Sequence, residues 1–266
     1  MSDKASAETC GPEARALQRL LDLVRRLRAP NGCPWDREQT PSTIKGYLIE
    51  EAYELVEAIE ANDAMDAREE LGDVAFELCF LAELYREAGE FDLAQALDTS
   101  RAKMVHRHPH VFGEAEVSGA EEVTLRWHQI KAAEGKPLLE SVPRSLPALL
   151  KAHRLGERAA RVGFDFPGAE AARQKLEEEV GELKAAMAVG DRDAAQRELG
   201  DVLFAAVSVA RLLKLSAEDA LRGSLDKFSE RFRYIEERLK AQGKSLQEAS
   251  LEEMDAIWDE MRGEGK

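Results

Sequence analysis

A shift of 128 residues lays one stretch of this chain onto another, and that self-match constrains the fold more than any other feature. Residues 50–76, EEAYELVEAIEANDAMDAREELGDVAF, agree with residues 178–204, EEVGELKAAMAVGDRDAAQRELGDVLF, at 13 of 27 positions. Identity of that density at a single register marks an internal duplication, so two domains of one plan are expected rather than one large domain. Glu50, Glu51, Glu54, Glu70 and Asp73 of the first copy recur as Glu178, Glu179, Glu182, Glu198 and Asp201 of the second.

Each copy reads as a pair of helices. Leu176, Val180, Leu183 and Met187 recur at helical spacing before Gly190, and a second periodic run starts after Asp191. Gly190 suits a left-handed helix end, and Asp191 or Asp193 suits the next N-cap. At about 100° per residue, Glu178, Glu179 and Glu182 share one quadrant of the first helix, beside its apolar stripe. Glu198 and Asp201 share a face of the second, which continues as VLFAAVSVARLL and is expected to be buried. Solvated glutamates are the ordinary reading of an acidic helix. Here, though, the positions four after Glu178, Glu179, Glu182 and Glu198 are Glu182, Leu183, Ala186 and Val202, and only Lys175 answers the acids. Two carboxylates about 4 Å apart repel by roughly 4 kcal/mol at an effective dielectric near 20, so converging acids need protons or a cation. A hard divalent ion with oxygen ligands fits, Mg²⁺ best, with Mn²⁺ as a substitute.

Composition narrows the classes. Ala, Leu, Glu and Arg dominate, aromatics make up 6%, and strand-like alternation is scarce, so the fold is expected to be all-α. A net charge of −15 argues against a nucleic-acid partner, whose backbone requires a basic surface. Cys10, Cys33 and Cys79 are odd in number with no CxxC spacing, which suggests neither a disulfide framework nor a zinc site and points to a reducing cytoplasm. The N-terminus lacks an apolar signal core, and the longest apolar run, Val202–Ala210, is too short for a bilayer, so no membrane partner is expected.

EExxE followed by ExxD on paired helices is accompanied by CPWD (Cys33–Asp36), RHPHVF (Arg107–Phe112), PRSLPALLKA (Pro143–Ala152) and VGFDF (Val162–Phe166). Together these resemble the MazG-type nucleoside triphosphate pyrophosphohydrolases in their two-domain bacterial form, over nearly the whole chain. EExxE alone is a weak signal; two copies in this context are a strong one. The resemblance implies tandem helical-bundle domains of the all-α NTP pyrophosphatase type. It also implies dependence on Mg²⁺, a homodimer, and cleavage of nucleoside triphosphates to the monophosphate and pyrophosphate. That the α–β bond is the one broken comes from the resemblance, because acid spacing does not choose it. On this reading Glu179, Glu182, Glu198 and Asp201, and in the first copy Glu51, Glu54, Glu70 and Asp73, hold the metal, with Glu178 as a further or outer ligand.

Taken in order, residues 1–12 read as a disordered lead, and 13–118 as the first domain, opened by an amphipathic helix Glu13–Leu27. Residues 119–147 form a connecting region with one helix, from about Ala120 to Ala133, and 148–266 form the second domain. That domain has a helix from Ser145 to Val162, the acidic pair, a helix from Ala217 to Gln242 and a last one from Leu251. In the CPWD turn, Trp35 is expected to plug a helix junction rather than touch a base. Glu77, a turn beyond Asp73, is either an auxiliary acid or a surface residue; its counterpart is Ala205, and Tyr47 corresponds to Lys175. Lys103 with Arg107, and Lys227 with Arg231, are cationic pairs one turn apart that suit a triphosphate tail, as does Lys175. Trp127 and Trp258 either stack on a nucleobase or fill a core. His106, His108 and His110 flank a proline and are expected to order a loop rather than bind zinc.

Two other functions fit parts of the pattern. A di-iron carboxylate bundle needs ExxH elements, which neither copy has. A non-catalytic helical regulator that binds nucleotides or a partner protein would keep the acids as structural groups.

Overall fold

The computed structural model describes residues 11–133 and 137–264. Among these residues all regular structure is helical, as the composition predicts, and no helix is long and apolar enough to cross a membrane. Two compact units divide between His128 and Gln129. Residues 1–10 of the expected lead and Gly135 of the expected connecting region lie outside the described residues.

In the first unit α1 (Pro12–Arg28) starts earlier than its apolar spacing predicts. Pro12 belongs to the helix rather than to the lead, because proline at the first helical position sacrifices no hydrogen bond. A one-turn helix, α2 (Pro34–Glu38), carries the CPWD aspartate. The duplicated pair is α3 (Pro41–Glu60) and α4 (Ala64–Glu87). Thr40 and Thr43 close a reciprocal capping box on α3, and the Asp63 carboxylate accepts from the Met65 and Asp66 amides to start α4. Between them Asn62 takes a left-handed φ of 56°, one of the few non-glycine residues that tolerates it. Val24, Ile44, Cys79, Phe80 and Leu84 form the core, with Leu17, Leu20 and Leu21 of α1 laid against it. The unit continues through α5 (Leu93–Arg107) and the short α6 (Pro109–Phe112), and the division falls inside α7 (Ala120–Ala133).

The second unit repeats the plan. The helix α8 (Ala148–Ala160) is shorter than the expected Ser145–Val162, because Pro147 stands at its N-cap. It packs on the second member of the duplicated pair α9 (Ala169–Val189) and α10 (Arg192–Leu212), and on α11 (Ala217–Ala241). Gly190 ends α9 in the left-handed conformation at φ 73°, and Asp191 caps α10 by accepting from the Ala194 amide at 2.9 Å. Ile235 and Leu239 of α11 meet Ile257 of α12 (Leu251–Glu264) in a second core, which Trp258 and Tyr234 border.

One expectation fails here. The apolar run of α10 is not buried all round: Ala205, Val207 and Ser208 are, but Leu203 and Phe204 stay 49% and 45% exposed. The helix packs on α8, α9 and, less closely, α11, and among the described residues these contacts leave Leu203 and Phe204 half exposed.

Candidate metal centres

The hairpin in each unit holds two acid-bearing helices against each other across a tight turn, so carboxylates distant in sequence meet. In the second unit Glu179 and Glu182 of α9 and Glu198 of α10 each offer an oxygen, all within 4.8 Å of one another. In the first unit the converging trio is Glu51 of α3 with Glu70 and Asp73 of α4, within the same limit. Each centre thus gathers three of the four acids that the repeat nominates. Asp201 lies outside the first trio and Glu54 outside the second, although Glu54 raises the affinity of both Glu51 and Glu70 for a proton.

The electrostatics of the two centres differ. In the second unit the Lys175 ammonium sits 2.7 Å from Glu178 Oε1 and 2.8 Å from Glu179 Oε1. Its hydrogen bonds to Glu178 and then Glu179 hold it well above the ordinary lysine value, while Glu179, burial and Glu198 push Glu182 above the ordinary carboxylate value. In the first unit Tyr47 replaces the lysine and meets Trp35 edge-on, with ring centroids 5.9 Å apart. Burial followed by the neighbouring carboxylates raises Glu51 and Glu70, and Glu70 Oε2 is buried without a hydrogen-bond partner.

Glu77, which sequence spacing left undecided between auxiliary acid and surface residue, is buried. Its Oε2 also lacks a partner, and desolvation, Glu51, Asp73 and Asp36 push it up to about 7. Carboxylate oxygens that lack hydrogen-bond partners beside mutually repelling acids fit a divalent cation. The donor set is all oxygen, which suits a hard divalent ion.

Asp36 of the CPWD turn is the residue that sequence reasoning passed over. It is buried and faces Glu77, whereas Trp35 beside it is 53% exposed and does not plug a junction. The one available signal was an aromatic followed by aspartate in both copies, Trp35-Asp36 and Phe164-Asp165. Asp165 accepts a two-pronged contact from Arg211 of α10, with Nη1 at 2.9 Å from Oδ2 and Nη2 on Oδ1. Gly156 leaves room for that guanidinium, since a Cβ there would stand 2.8 Å from Arg211 Nε. The first unit has Glu83 at the matching place on α4, and it receives Arg86 and Arg25, tying α1 to the acidic helix.

Of the expected phosphate contacts, Lys175 touches the acids directly, and the others have the following surroundings. Lys103 and Lys227 are exposed, Arg107 is buried with its guanidinium 5.7 Å from the Trp127 ring centre, and Arg231 lies 5.3 Å from that of Trp258. Trp258 also meets Phe228 at 5.5 Å, so it is both half-packed and capped by a cation. His108 Nδ1 lies 2.6 Å from the Met104 carbonyl at the turn between α5 and α6.

This double arrangement has counterparts among known proteins. The model of the MazG nucleotide pyrophosphohydrolase domain matches twice, over residues 39–112 and 168–235. A nucleoside triphosphate pyrophosphohydrolase of Escherichia coli K12 is 41% identical over 254 residues, covering 92% of this chain and 97% of that one. The nucleoside triphosphate pyrophosphohydrolase/pyrophosphatase MazG of Thermotoga maritima is 41% identical over 251 residues, covering 92% and 95%. A crystal structure of a MazG-related protein from Thermotoga maritima aligns at 30% identity and a TM-score of 0.38, covering 43% of this chain and 98% of that one. With both helix hairpins inside the matched segments and the likeness running almost end to end, the chain belongs to the MazG family of nucleotide pyrophosphohydrolase domains and carries that domain twice.

Proposed function

We propose that the chain hydrolyses nucleoside triphosphates between the α and β phosphorus atoms, giving the nucleoside monophosphate and pyrophosphate, with Mg²⁺ at its acid centres and a role in clearing or regulating the nucleotide pool. The observation that carries the reading is the convergence of three carboxylates from a helix hairpin, formed independently in both units. The printed activity of relatives 41% identical supports the substrate class.

Bound Mg²⁺ would supply Lewis-acid polarisation of the phosphates and an activated water nucleophile. The chain's own residues do the rest. Glu179, Glu182 and Glu198, with Asp201 one turn further along α10, would hold the ion in the second unit, and Glu51, Glu54, Glu70 and Asp73 in the first. Glu178, bound to Lys175, orients that ammonium beside Glu179. Lys175, Lys227 and Arg231 would meet the phosphate oxygens as charge shifts, and Trp258 offers a ring to the base.

The second unit is the better catalyst on this reading, since it alone pairs its acids with a lysine. Purified Glu182→Ala and Glu54→Ala enzymes, assayed for Mg²⁺-dependent pyrophosphate release, test it. Glu182→Ala is expected to lose the greater part of turnover and Glu54→Ala the smaller; equal losses would remove the preference, and a nucleoside diphosphate with orthophosphate as products would remove the α–β assignment.

The active form is a homodimer. Leu199, Leu203 and Phe204 on α10 and Leu221, Leu225, Phe228 and Phe232 on α11 are all between 38% and 57% exposed. Their spacing along α11 is that of a single apolar stripe, which a second copy would cover.

A further inference from the structure

The two acid centres share a plan but not a charge, and two of the differences fall beside the acids themselves. Glu77 lies on α4 one turn past Asp73 and two turns past Glu70, which puts the three on one face. It is 9% exposed, forms no ion pair among the described residues, and its Oε2 is buried with no hydrogen-bond partner. Its charged neighbours, Glu51, Asp73 and Asp36, are all acids. A buried carboxylate in that company needs a proton or a positive partner, and among the described residues of the first unit no basic side chain pairs with it.

The second unit removes the problem twice over. At the position matching Glu77 it has Ala205, 4% exposed, and at the position matching Tyr47 it has Lys175, whose ammonium touches Glu178 and Glu179. The acids that the repeat aligns, with Glu77 added, number six in the first unit, Glu50, Glu51, Glu54, Glu70, Asp73 and Glu77; in the second they number five, Glu178, Glu179, Glu182, Glu198 and Asp201, with one lysine touching them. With every one of these carboxylates ionised, the difference is two unit charges, the charge of one divalent cation.

We propose that the first unit's centre binds one more divalent cation than the second unit's, that Glu77 is a ligand of the additional ion, and that Lys175 takes the place of that ion in the second unit. This rests on reading both acid clusters as metal centres. The two halves of the duplication have therefore diverged in metal content: one depends on metal alone for its positive charge, and the other carries part of it as a side chain. Occupancy of the first centre should rise more steeply with divalent-ion concentration than that of the second.

Counting bound Mn²⁺ on the full-length chain tests this, with the loss of the free-ion electron paramagnetic resonance signal as the readout. Glu77→Gln keeps the side-chain shape and is expected to bind one Mn²⁺ fewer per chain than the unaltered protein. Tyr47→Lys, at a 39% exposed position, imports the second unit's ammonium while leaving Glu77 in place, and it too should release one ion. Helical circular dichroism in chelator shows whether each variant is folded. An unchanged Mn²⁺ count in folded Glu77→Gln overturns the inference, and if that variant does not fold, an unchanged count in Tyr47→Lys overturns it. If the unaltered chain binds Mn²⁺ and the variants match it, the metal centres stand and only their inequality falls. An unaltered chain that binds no Mn²⁺ takes down both.

Discussion

Asp165 is held by Arg211 in a geometry that gains from both charges, and the consequence is a pH dependence whose sign can be worked out. Hydrogen bonds from Arg211 come first in lowering its pKa from the ordinary 3.8, against the opposing effect of burial. A carboxyl with a depressed folded-state value contributes stability that is fully present above its unfolded value and lost as pH falls through the folded one. Asp165→Asn should therefore cost about 1 kcal/mol at neutral pH, the usual worth of a charge-assisted contact discounted for the solvent that reaches the site. The gap in melting temperature between variant and parent should be constant from pH 5 to 7 by this pair and close below about pH 4. Thermal scans of the two proteins across that range check it; a gap that persists at low pH would mean that the asparagine fails for reasons of shape. Lys175 allows a second residue-scale prediction. Its ammonium must share Glu179 with any bound metal, so Lys175→Met should lower the Mg²⁺ concentration for half-maximal activity by roughly tenfold. At saturating Mg²⁺ the same variant should turn over more slowly, because a phosphate contact is gone; titrations of activity against Mg²⁺ separate the two effects.

At the scale of the element, the hairpin turn matters because it sets which acids meet. Gly190 has a left-handed φ of 73°, and Asp191 accepts from the Ala194 amide, so the turn depends on one backbone conformation and one cap. Gly190→Ala and Asp191→Ala should each lower unfolding free energy by about 1 kcal/mol in denaturant melts. Asn62→Gly, at the matching turn of the first unit, should instead be neutral or gain a few tenths, since the backbone there already has φ 56°. These turns were legible in the sequence because glycine and aspartate have few other uses at a break in helical periodicity. The acid faces were legible for the same reason: three residues at i, i+1 and i+4 lie together on any helix. The burial of Glu77 was not legible, because spacing placed it on the acidic face of α4 and only the packing of that face beside Asp36 decides whether water reaches it. The role of Trp35 was misjudged on the same account: a large ring in a turn reads as a plug, and here the neighbouring aspartate goes inward.

At the scale of the molecule, the duplication gave the two-unit plan directly, while the covering of α10 depends on something that one chain's hydrophobic pattern does not contain. An apolar run such as VLFAAVSVARLL predicts burial without saying whose atoms do the burying. Among the described residues α8, α9 and α11 cover part of the helix, and Leu203 and Phe204 are left half exposed. Along α11, Leu221, Leu225, Phe228 and Phe232 recur at steps of four, three and four, which is a helix-pairing stripe rather than scattered exposure. Leaving such a face in water costs roughly 25 cal/mol per Å² of apolar area, so two copies that bring these stripes together remove a penalty that neither removes alone. Light scattering on the unaltered protein is expected to give twice the 29.6 kDa chain mass. Leu225→Glu places a charge in the middle of the stripe and should shift the mass toward a single chain as concentration is lowered, with the helical circular dichroism retained. An unaltered protein that stays at the single-chain mass, or a Leu225→Glu variant that stays dimeric at every concentration, would show that α11 is not where the copies meet.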